Sequence, residues 1–144
     1  MFSNQSSHAI VDVVGYVTAD GAPVAASGLF VAARPYRIYD SRSDAGAFAT
    51  GETRAVGLTG SAVPPDASAV STNLTADQGV AVGFIKVYPS GTPQTSTSNL
   101  NFDANSPVAN AGLLRLGADG AVAVFANRQA HVIIDVNGYF TGPR

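Results

Sequence analysis

Two acids in strand-like company, a Tyr-Asp-Ser-Arg segment and two histidines are the side chains here with the types and spacing to do chemistry. Asp12 lies in His8-Ala9-Ile10-Val11-Asp12-Val13-Val14-Gly15-Tyr16-Val17-Thr18. Asp135 lies in His131-Val132-Ile133-Ile134-Asp135-Val136-Asn137-Gly138-Tyr139-Phe140-Thr141. Strands disfavour acids, so each Asp needs a reason. One reason is ligand or metal binding. The other is an arginine partner, Arg37 or Arg42, or backbone amides at a sheet edge, and it is preferred because an acid among apolar residues is usually paired. Asp40 and Arg42 are two apart, so on a strand they share a face. There they grip a polar ligand or, the preferred reading, pin a loop.

His8 and His131 each precede an Asp by four positions. On a strand that is about 13 Å, at about 3.3 Å per residue, too far for a catalytic His–Asp contact within one strand. Strand-end polar residues are the expectation. No Gly-x-Ser-x-Gly elbow exists to raise a serine nucleophile. Asp66, Asp77, Asp103 and Asp119 stand singly among turn residues, without the Asp-x-Asp-x-Asp spacing of a calcium loop. Asn73-Leu74-Thr75 fits a glycosylation sequon. Tyr16, Tyr36, Tyr39, Tyr88 and Tyr139 would make a sugar platform only if several were exposed together, and tryptophan is absent. These residues give no catalytic, cofactor or metal set.

The elements that must position these groups begin with a repeat. The segment 8–18 returns 123 positions later as 131–141, with seven of eleven residues identical. Both copies alternate with period two, the pattern of a half-buried strand. Ala9, Val11, Val13 and Val17, matched by Val132, Ile134, Val136 and Phe140, form a wholly apolar row that should face a core. Asp12 and Tyr16 lie on the mixed face. Gly15 and Gly138 mark a bulge or a close backbone approach.

Composition sets the surroundings. Charged residues are 12% of the chain, about half the usual share, and Lys86 is the sole lysine. The surface must be coated with small hydroxyl and amide groups. A net charge of −2 disfavours nucleic acid and anionic membranes as partners, since both call for basic patches. No apolar run reaches the roughly eighteen residues of a membrane span. Cysteine is absent, excluding disulfides and thiolate metal sites. Met1-Phe2-Ser3-Asn4 lacks the basic and apolar regions of a secretion signal.

Helical periodicity is nearly absent, and short alternating stretches recur between Gly, Pro, Ser and Thr. Leu29 to Ala33 and Tyr36 to Asp40 read as two strands broken at Pro35. Further strands are expected at Glu52–Thr59, Ala69–Thr75, Val80–Tyr88 and Ser98–Phe102. Leu113–Leu116 and Ala121–Ala126 read as a hairpin about Gly117-Ala118-Asp119-Gly120. The sum is all-β, an antiparallel two-sheet sandwich of about nine or ten strands, with a closed barrel as the alternative. Residues 1–19 are expected to form an extra N-terminal strand equivalent to the last strand of a module, 20–28 a turn or linker, and 29–144 the sandwich module, in one compact domain with 1–19. Both chain ends are expected to be held in the fold.

Several motifs in order carry a resemblance: Tyr39-Asp40-Ser41-Arg42, Gly51-Glu52-Thr53-Arg54, Val63-Pro64-Pro65-Asp66-Ala67-Ser68-Ala69-Val70, Val87-Tyr88-Pro89-Ser90-Gly91, Ser98-Asn99-Leu100-Asn101-Phe102 and Asp135-Val136-Asn137-Gly138-Tyr139-Phe140. Over residues 30–141 the chain resembles a β-rich repeat module of secreted and cell-wall-associated actinobacterial proteins. The resemblance implies an extracellular setting, no assigned catalytic residues, and a role that is structural or adhesive. It also makes residues 8–18 the last strand of a preceding module. That strand then pairs within its own domain, adds to a neighbouring copy, or is a relic of a tandem array. The resulting expectation is a non-enzymatic assembly module, a homo-oligomer joined by strand addition. The alternative is a carbohydrate-binding or adhesion module that takes cell-wall glycan.

Overall fold

The computed structural model describes Val13, residues 28–60 and residues 62–142. Eight strands are present: β1 Phe30–Asp40, β2 Glu52–Gly57, β3 Ala69–Asp77, β4 Gly83–Pro89, β5 Leu100–Phe102, β6 Val108–Arg115, β7 Ala121–Ala126 and β8 His131–Phe140. They form two four-stranded antiparallel sheets, ordered β1-β8-β3-β6 and β2-β7-β4-β5. The fold is all-β and sandwich-like, and it does not close into a barrel. Strands number eight among the described residues, below the nine or ten expected.

Alternation explains the packing. In β3 every second residue, Val70, Thr72, Leu74 and Ala76, is buried. Val132, Ile134 and Val136 of β8 are fully buried, and they meet Val56, Ile85, Val122 and Val124 of the other sheet in one apolar core. Each such side chain gains roughly 1.5–3 kcal/mol from burial, so the period-two rows hold the sheets together.

Three segments differ from the reading of the sequence. Pro35 does not break β1. It sits where the β1–β8 register shifts, between Ala32 and Tyr36, and a second shift separates Arg37 from Tyr39. A bulged edge strand has no ladder bond for proline to lose. Val80 and Val82 lie outside β4 and are exposed, because Gly79 and Gly83 turn the chain against the Phe102 ring where a Cβ would collide. The expected hairpin is an arch: β6 pairs with β3, whereas β7 pairs with β2 and β4 in the other sheet. The Asp119-Gly120 turn is there, with Gly120 at φ 74°, but it carries the chain between layers.

Register defines two ends. Phe30, Ala69 and Phe140 align at one, and Asp40, Asp77 and His131 at the other. At the first end the chain enters and leaves the sandwich side by side. The Gly28 N–H donates to the Thr141 carbonyl (2.6 Å), and the Thr141 N–H to that of Leu29 (3.0 Å).

The readings for 8–12 and 14–18, Ala9, Val11, Asp12, Tyr16 and Val17 among them, and for the first and last residues of the chain lie outside the described residues. Val13 is described: it belongs to no strand and is 84% exposed. The rest of the row that Val13 belongs to lies outside the described residues.

Candidate functional site

One cluster of charged side chains lies toward the end marked by Asp40, Asp77 and His131. Asp135, on the outer face of β8, stands directly across from Arg37 on β1. Arg37 Nε donates to Oδ1 at 2.9 Å and Nη2 to Oδ2 at 3.3 Å, the planar fork that guanidinium offers a carboxylate. Arg37 Nη1 also reaches Asp40 Oδ2 at 3.1 Å. Arg42 grips Asp40 with Nε (2.9 Å) and Nη2 (2.7 Å), adds its own backbone N–H (3.0 Å), and extends Nη1 to Asp77 (3.0 Å).

Two guanidinium groups and three carboxylates thus form one chain across β1, β8 and the end of β3. The Arg42 hydrogen bonds lead the opposing pull of burial and hold the Asp40 carboxyl down at about 2. The same bonds push Arg42 up. Every oxygen of Asp40 and Asp135 is engaged by arginine, so this network fastens the strand ends to one another.

Ser41 is fully buried. Its Oγ accepts the Val132 N–H at 2.9 Å and lies 3.0 Å from His131 Nδ1, while its own N–H donates to the Val132 carbonyl (3.0 Å). A serine with no exposure and an occupied oxygen cannot reach a substrate, and the Ser–His contact is a clamp at the start of β8.

The loop 41–51 has a second anchor. Arg54, from β2, donates to the carbonyls of Ala45 (3.3 Å), Gly46 (2.8 Å) and Ala47 (2.7 Å) and to both oxygens of Glu52. Its guanidinium lies 4.3 Å from the centre of the Phe48 ring, a stacked cation contact. Glu52 takes the Ala49 N–H at 2.6 Å, and the Arg54 hydrogen bonds depress its pKa. Reading the sequence for chemistry missed Arg54. The available signal was Glu52 and Arg54 on one strand face beside a loop of small residues whose carbonyls need donors.

Other candidates scatter. Asn73 stands within β3, opposite Ala111 and Asp135, rather than on a loop. Tyr36, Tyr39 and Tyr139 pack against the core and Tyr88 is buried, so the four described tyrosines present no exposed platform for a sugar ring. Lys86 is tied to the Thr95 carbonyl (2.8 Å) over the rings of Phe84 and Phe125. Among the described residues no three His, Cys, Asp or Glu side chains meet as a metal site.

What the described surface offers instead is edges. β1 and β6 flank one sheet, and β2 and β5 the other. An edge strand exposes a row of N–H and C=O groups able to pair with another chain. Beside β6 lies a groove of about 400 Å³ whose lining includes Leu74, Leu114, Thr97 and Asn99. No family model matches this chain, and no curated protein matches it.

Proposed function

We propose that this chain is a non-enzymatic structural module of an extracellular, cell-surface assembly, and that residues 8–18 join it to a neighbouring copy by strand addition. The observation that carries the reading is the place of the second copy of the repeat. β8 needs two neighbours, β1 and β3, and it fills the slot between them. Residues 8–18 share its pattern and find that slot taken, while Val13 stands uncovered. An alternating strand whose apolar row needs cover gains by adding to a free edge of another subunit. The extracellular setting rests on the family resemblance. Head-to-tail addition is open-ended and builds filaments.

Light scattering on the full chain and on a variant lacking residues 1–19 tests this. Concentration-dependent growth of the full chain, lost on deletion, is the expected result. Two identical monomers would end the proposal.

A further inference from the structure

The four edges are not equal as acceptors. β1 carries Pro35, which has no N–H to give, and two register shifts that break its outline. β2 is six residues long and bears Glu52 and Arg54. β5 has three residues. Short, charged, bulged or proline-bearing edges are the devices that keep sheets from pairing with strangers. β6 has only one of them, the charge of Arg115 at its last residue. It runs eight residues, Val-Ala-Asn-Ala-Gly-Leu-Leu-Arg, in unbroken register with β3, with no charge before its last residue. Ala109, Ala111 and Leu113 on its outer face are exposed.

A charge points to what covers it. On this sheet's outer face Asp135 of β8 is met by Arg37 of the adjoining strand. By the repeat, Asp12 is the counterpart of Asp135 and needs a cation in the adjoining strand. Arg115 ends β6 on that same outer face, exposed, and among the described residues it has no carboxylate partner. The apolar row of the incoming strand has the groove between β6 and residues 97–99 to fill.

We infer that the outer edge of β6 accepts residues 8–18 of a second copy of this chain, with Arg115 taking Asp12 as Arg37 takes Asp135. The inference rests on the assembly reading above and names its acceptor.

Sedimentation velocity across a concentration series on the full chain tests it. Arg115→Glu and Asp12→Arg should each weaken self-association on the order of tenfold, and the double reversal should restore it. Arg115 is exposed, so Arg115→Glu should melt like the wild type, and a thermal scan on every variant separates lost association from lost folding. If deletion of residues 1–19 abolishes association while the reversals fail to compensate, strand addition stands and β6 as acceptor is overturned. A wild-type monomer at every concentration overturns both. A monomer whose residues 8–18 resist amide exchange puts the strand on its own chain, and overturns both as well.

Discussion

A carboxylate at the end of β1 holds two arginines at once. Asp40 accepts from Arg37, from the Arg42 side chain and from the Arg42 backbone, and its carboxyl sits at about 2 rather than 3.8. The sign follows from linkage: a carboxyl with a depressed folded-state pKa stabilises the fold above its ordinary pKa, and that stability is lost as pH falls from about 4 through about 2. Urea midpoints measured at about pH 5, 3 and 2 should fall more for the wild type than for Arg42→Gln. Equal slopes would contradict the assignment. The sequence left Asp135 a choice between an arginine, Arg37 or Arg42, and backbone amides at a sheet edge, and went no further. Choosing needs the register between β1 and β8, segments about a hundred positions apart, and no local pattern encodes it. Arg54 was illegible for a similar reason, because its partners are backbone carbonyls, which every residue owns.

Elements were legible where one face is buried. β3, β5 and β8 announce themselves by period two, and the fold class follows from them. What stayed hidden was which strands pair. Asp-Gly between alternating runs suits a hairpin and an arch equally well, and only the partners waiting in each sheet decide. In β8 the glycine reading has a definite outcome. Asn137 has no counterpart on β3, where Ser71 faces Gly138 and Thr72 faces Val136, so a bulge precedes Gly138. The Phe30 ring lies over that glycine and packs against Phe140 at a tilt of 51°, centroids 5.2 Å apart. A methyl at this position would meet the ring and the Val31 carbonyl. Gly138→Ala is therefore expected to cost about 1–3 kcal/mol. Adding Phe30→Ala should recover only part, since the carbonyl remains. Denaturant titration reads both, and an unchanged Gly138→Ala would refute the steric account.

At the scale of the molecule, the chain changes sheet at every connection between the described strands but one, β4 to β5. Nearly all strand pairs are therefore remote in sequence, and loop closure must precede the contacts that reward it. Refolding should take milliseconds to seconds, with both sheets lost in one transition. Stopped-flow fluorescence of the tyrosines reads the rate, and microsecond folding would contradict the topological limit.

The backbone bonds joining Gly28 and Thr141 have a mechanical corollary. Tension applied at Gly28 and Thr141 would peel β1 from β8 one rung at a time, as a zipper opens, instead of shearing a whole ladder at once. Such a unit yields at low load and leaves its far loops undisturbed until the first strand has gone.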